Sequence, residues 1–187
     1  NAMEVDWLDT YGVDACMWIG GPGSGCGFRG VADLLTGASN PSGRLTDTYA
    51  TSAMSAPAMM NFGDISYTNG GNYVVYAEDI YVGYRYYETR YEDAVLGQGN
   101  AASKAGVWAS ADGWNYADEV VYPFGYGLSY TTFTQKLDKV EETDGKLLAT
   151  VTVTNTGDTA GKSVIELYAQ TPYGDYEKTN LVEKSAI

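Results

Sequence analysis

The spacing of apolar and polar positions divides the chain into a mixed front part and an all-β back part. Residues 4–13, EVDWLDTYGV, predict a short helix or turn. The following run, Asp14 to Gly20, is short, mostly apolar and closed by glycine, the pattern of a strand buried on both faces. Phe28, Val31, Ala32, Leu34 and Leu35 then recur at helical spacing, and Gly37 stands where a helix-ending glycine belongs. The turn Asn40-Pro41-Ser42-Gly43 feeds a predicted strand at Arg44 to Tyr49. A strand, a helix and a strand in that order imply parallel pairing through a right-handed crossover.

Residues 51–73 show no periodicity and read as a long surface loop. The stretch YVVYAEDIYVGYRYYETRYED carries apolar or aromatic side chains at both alternating sets of positions, which predicts a strand covered on two sides. Residues 97–118 read as an irregular insertion holding two tryptophans, Trp108 and Trp114. From Thr132 onward the pattern is all-β. Ala149, Val151 and Val153 alternate with Thr150, Thr152 and Thr154, residues 155–158 turn, and KSVIELYAQ predicts the next strand. Such alternation fits an immunoglobulin-like sandwich. The expected fold class is therefore α/β with a mostly parallel sheet over residues 4–131, followed by a partial all-β sandwich over 132–187.

Composition adds two constraints. Val, Ile, Leu and Phe together make only 35 of the 187 residues, and the net charge is -13. That pairing would suggest disorder, but 17 Tyr and 4 Trp supply the missing buried area. With 24 acidic against 11 basic residues, the chain has no means of neutralising a phosphate backbone, so nucleic acid is not expected as a partner. No apolar run reaches the ~18 residues of a membrane span.

The chain has no histidine, which rules out Ser-His-Asp and Cys-His catalysis and imidazole metal ligation within it. Cys16 and Cys26 cannot make a tetrahedral thiolate site; they read as two free thiols, with a disulfide as the alternative. No metal or cofactor is expected. The opening NAM reads as vector residues and an initiator Met.

One motif invites a cofactor reading. Residues 25–30, GCGFRG, satisfy G-x-G-x-x-G between a predicted strand and a helix, and Asp47 lies 17 residues beyond Gly30. A dinucleotide site needs a complete βαβαβ unit, however, and no second helix follows. The glycines are expected to serve the turn.

Three runs in order, GVADLLTGASNPSGRLTDTYA, EDIYVGYRYYETRY and YPFGYGLSYTTF, resemble the C-terminal part of family-3 glycoside hydrolases, the β-glucosidase-like enzymes. VTVTNTGDTAGKSVIELYAQ resembles the start of the fibronectin type III-like domain that follows in many of them. The resemblance implies a C-terminal fragment: the end of an α/β sandwich domain over 4–131 and an incomplete fibronectin-like domain over 132–187. It implies a parent that hydrolyses β-glucosides or related sugars with retention, using two carboxylates ~5 Å apart. By resemblance the nucleophile is an Asp of a preceding barrel domain and the acid/base, where it is a Glu, lies upstream of the strand matching ACMWIGG. Neither segment is in this chain, which is therefore expected to be inactive, with no catalytic residue of its own. A bacterial-type enzyme without a visible signal peptide favours the cytoplasm.

Glu78 matches a recurring acid of the family and is the strongest candidate for a substitute role; a capping or strand-edge carboxylate is the simpler reading. Glu88, Glu92 and Asp93 read as solvated charges beside Arg85 and Arg90. Arg44 could meet substrate but reads better as an internal anchor for a carboxylate or carbonyl. Tyr81, Tyr84, Tyr86, Tyr87 and Tyr91 could stack on sugar, but packing is the better account. Trp108 and Trp114 are candidates for a rim or subsite. A rival reading makes the chain a stand-alone carbohydrate-binding or interaction protein. Open edges at the predicted strands, and uncovered faces on LATVTVTNT and KSVIELYAQ, imply a homo-oligomer, most simply a two-fold dimer.

Overall fold

The computed structural model describes residues 3–23, 25–60, 76, 78–96, 115–180 and 182. Trp108 and Trp114 lie outside the described residues, as does most of 61–77. The chain forms two compact units, one from residues 1–14, 45–126 and 167–187, the other from 15–44 and 127–166.

The first unit opens with α1 (Trp7–Thr10), whose Leu8 is buried with Val5 and Tyr49. A two-stranded antiparallel ribbon, β1 (Tyr49–Ala50) and β2 (Val120–Tyr122), pairs Tyr49 with Tyr122 and Ala50 with Val120. Strand alternation sends neighbouring side chains to opposite faces. Ala50 and Val120 therefore join one apolar cluster with Tyr81, Tyr86 and Tyr87, while Tyr49 and Val121 join the other. A 3-10 turn (Ala53–Ser55) and α3 (Pro57–Met60) follow β1, and α5 (Tyr116–Glu119) leads directly into β2. The Thr51 amide and hydroxyl donate to the carbonyls of Glu119 (2.8 Å) and Asp118 (2.9 Å), extending the ribbon.

The central element of this unit is α4 (Tyr84–Ala94). Here the expected two-faced strand is corrected to a helix. Gly83 precedes it at φ +59°, a conformation glycine adopts without Cβ strain, and this turns the chain from extended to helical. Tyr86, Thr89 and Arg90 are buried at i, i+3 and i+4, with Tyr87 beside them, so one helix stripe faces the core. Four tyrosines in the eleven residues of α4 satisfy a period of 2 as readily as 3.6, and tertiary burial decides between them.

In the second unit, α2 (Gly27–Leu35) forms as expected, and Gly37 at φ +77° donates its N–H to the Leu34 carbonyl at 3.1 Å. Asp14 to Gly20 is not a strand: it is largely exposed, with Trp18 at 55% exposure, and no described strand hydrogen-bonds to it. An apolar run without a partner strand cannot satisfy its backbone in a sheet. The parallel strand–helix–strand passage is absent among the described residues, where both pairings are antiparallel.

The all-β expectation meets an eleven-residue β3 (Phe133–Thr143) paired to β4 (Lys146–Asn155). Asp144 and Gly145 connect them at φ +54° and +71°, both in the left-handed region that a two-residue type I′ hairpin requires. A bulge lies between Leu137 and Lys139. Its Asp138 takes a 2.8 Å ion pair from Lys136 and a hydrogen bond from the Thr152 hydroxyl, and Lys136 leads in holding that carboxyl below its ordinary value. KSVIELYAQ does not form a strand. At its start, within the second unit, the Gln135 amide of β3 donates to the Ser163 hydroxyl (2.9 Å) and the Val164 carbonyl (2.8 Å), but no backbone ladder forms.

Candidate functional site

The glycine turn is open. Gly20, Gly23 and Gly25 all have positive φ, with Gly25 at +92°, and Gly27 is packed so closely on the Pro22 carbonyl that a Cβ would overlap it. These glycines solve a folding problem at the start of α2. Asp47, the acid a nucleotide reading would use, accepts the Thr48 N–H at 2.9 Å. Cys16 and Cys26 are free and exposed.

The runs NPSGRL and PFGYGLSYT are held together by sequence-distant contacts. In the second unit, Asn40 Oδ1 accepts the Ser129 hydroxyl (3.1 Å) and the Tyr130 N–H (2.8 Å), and Tyr130 Oη donates to the Leu34 carbonyl (2.9 Å). Arg44 donates to the Gly43 carbonyl at 3.1 Å, and any Cβ on Gly127 would strike that same carbonyl at 2.6 Å. The Arg44 contact is local, to the carbonyl of the residue before it. In the first unit, the Leu45 N–H donates to Tyr126 (2.9 Å), and Gly125 returns a bond to Leu45 (2.8 Å).

The chemistry-bearing residues of the first unit gather around α4. Glu78 is buried at 6% exposure in a turn where its carbonyl accepts the Tyr81 N–H at 2.9 Å. Arg90 is 3% exposed, with its guanidinium 5.9 Å from the Tyr86 ring centroid and one nitrogen 3.4 Å from the Tyr86 hydroxyl. A guanidinium is the cation best suited to such a site, because its planar face stacks on an aromatic ring. Burial raises the Tyr86 hydroxyl above its ordinary value, against the lowering effect of Arg90. Tyr87 donates to or accepts from the Ser55 hydroxyl at 2.7 Å, and burial pushes it up to about 12. Glu119 completes the group: burial raises its carboxyl, opposed by Arg90 and by a hydrogen bond from Ser55.

On the other side of α4, Glu88 accepts the Tyr116 hydroxyl at 2.6 Å, and Tyr91 packs edge-on against Tyr116 with centroids 5.1 Å apart. Burial and then the Glu88 bond raise the Tyr116 hydroxyl, so it stays a neutral donor. Glu92 accepts the Gln170 amide at 2.8 Å. Glu88 and Glu92 are therefore half-buried and hydrogen-bonded rather than solvated, while Arg85 is exposed and the side chain of Asp93 lies outside the described residues. Glu88, Tyr116, Pro123, Phe124 and Tyr168 line a cleft of about 240 Å³. Tyr116, Glu119, Phe124 and Tyr168 went unmarked in the sequence. The acidic pair before VVY, in ADEVVY, was the available signal for Glu119.

What the group can do chemically is limited. Among the described residues, no three His, Cys, Asp or Glu side chains cluster as metal ligands. Glu88 and Glu92 hold hydrogen bonds within the protein, and Glu119 faces Arg90 and Ser55. The tyrosine series serves as packing: Tyr81, Tyr86 and Tyr87 in the apolar cluster, Tyr84 on Phe124 at 4.4 Å.

Comparison with known proteins agrees with the motifs. The family described as "Glycosyl hydrolase family 3 C-terminal domain" matches residues 1–84. Beta-glucosidase B of Emericella nidulans is 37% identical over 175 residues, covering 90% of this chain and 17% of that protein. Beta-glucosidase A of Butyrivibrio fibrisolvens is 36% identical over 196 residues, covering 95% and 20%. The solved structure of beta-glucosidase 3B from Thermotoga neapolitana, in complex with glycerol, matches with a TM-score of 0.50 at 37% identity, over 73% of this chain and 15% of that one. The chain thus spans a fifth or less of the length of these curated relatives.

Proposed function

Because the chain belongs to glycosyl hydrolase family 3 and carries a stretch of its C-terminal domain, we propose that it is a structural, non-catalytic part of a β-glucosidase-like enzyme. The whole protein would hydrolyse β-glucosides or related sugars with retention, a reaction that needs a carboxylate nucleophile and a carboxylic acid ~5 Å apart. In this reading residues 4–131 complete an α/β sandwich domain and 132–187 belong to a fibronectin type III-like domain. The family match over 1–84 and the long β3–β4 hairpin support that division.

The observation that carries the proposal is the engagement of the candidate groups. Glu88 and Glu92 accept internal hydrogen bonds, and Asn40 ties Ser129 and Tyr130 to the NPSGRL turn. These are the contacts of a scaffold. The test is hydrolysis of p-nitrophenyl β-glucoside by the purified chain, with buffer-level rates expected. Saturable turnover that disappears in Glu78→Gln would give Glu78 the catalytic role and overturn the reading.

The proposal includes self-association. Leu137, Val140, Leu147 and Leu148 are exposed on the hairpin, and among the described residues neither β3 nor β4 has a third strand beside it. Exposed apolar positions on an open-edged ribbon favour pairing with a second copy.

A further inference from the structure

We propose that the cleft beside α4 is a binding site for a small organic ammonium cation, with its charge held by Glu88 and its substituents lying against Tyr116, Phe124 and Tyr168. Three aromatic side chains and one carboxylate line the cleft, together with Pro123 and without any lysine or arginine. Among the described residues no cation pairs with Glu88, whose hydrogen bond comes from the neutral Tyr116 hydroxyl. Aromatic faces attract cations within about 6 Å of the ring centroid, and an adjacent carboxylate adds a Coulomb attraction that partial burial strengthens.

Size points the same way. At about 240 Å³ the cleft falls below the roughly 300 Å³ at which pockets begin to enclose drug-sized molecules, so it fits a head group. The net charge of -13 raises the local concentration of cations. The site is separate from the glycosidase reading and does not depend on it.

Calorimetric titration of the purified chain with tetramethylammonium chloride, at fixed ionic strength, tests the proposal; glucose is titrated in parallel. Saturable binding of the cation and none of glucose at equal concentration are expected. Glu88→Gln keeps an oxygen to accept from Tyr116 and removes the charge, and should weaken the cation about tenfold. Tyr168→Ala, at a half-exposed position, should weaken it several-fold and carries the test if the Gln variant does not fold. Absence of a cation isotherm, glucose binding of equal strength, or cation affinity unchanged in a folded Glu88→Gln or Tyr168→Ala variant would overturn it.

Discussion

Helix α4 and strand β3 of the β3–β4 hairpin are each eleven residues long, yet helix and hairpin depend on their surroundings in opposite ways. In α4, Tyr86 and Thr89 are fully buried, and Arg90 and Tyr87 nearly so; the helix is held by what packs on it. In the hairpin almost every residue is exposed, and its order comes from a ten-pair register and an Asp-Gly turn. One element is specified by tertiary contact and the other by local geometry. Substitutions should therefore act through burial in α4 and through backbone conformation in the hairpin.

The sharpest way to break the comparison is to remove a buried ring. Tyr86→Ala should destabilise the chain by about 3–5 kcal/mol in denaturant unfolding, the cost of deleting a large core side chain and leaving its space empty. A second effect should appear in alkali. Burial, the larger influence, raises Tyr87 from 10.0 to about 12 despite the opposing Ser55 bond. The unfolded tyrosine thus ionises first, so its contribution is intact below pH 10 and is lost as pH climbs towards 12. Tyr87→Phe should flatten stability against pH across that window; an unchanged slope would show that Tyr87 ionises no later in the folded state.

In the hairpin, Gly145→Ala should cost about 1–2 kcal/mol through left-handed backbone strain, with no cavity to add to it. The smallest effect should come from Leu147, which is 72% exposed. Leu147→Lys should change intrinsic stability by less than about 0.5 kcal/mol, yet lower the scattering mass if the exposed hairpin face joins two copies. A wild-type chain that scatters as a monomer at micromolar concentration would remove that part of the proposal.

The same contrast explains what could be read from sequence. Helix α2 and its closing Gly37 were legible because spacing and terminator agree locally. The alternation of Ala149, Val151 and Val153 likewise marked β4, although the decisive Asp144-Gly145 signal went unused. The sequence of α4 predicts a strand because its tyrosines fit two periods, and only burial chooses the helical one. Asp14 to Gly20 and KSVIELYAQ have strand composition but pair with no strand among the described residues, and composition cannot supply one. The cleft is illegible in sequence for a different reason: Glu88, Tyr116, Phe124 and Tyr168 come from separate stretches that no single motif joins.

A retaining glycosidase forms a covalent glycosyl-enzyme intermediate on one carboxylate. The central claim, that this chain is scaffold and holds no nucleophile, is therefore tested most directly by intact-mass measurement after incubation with an activated 2-deoxy-2-fluoro-β-glucoside. The expected result is an unchanged mass. A stoichiometric glycosyl adduct mapped to Glu78, Glu88 or Glu119 would contradict it.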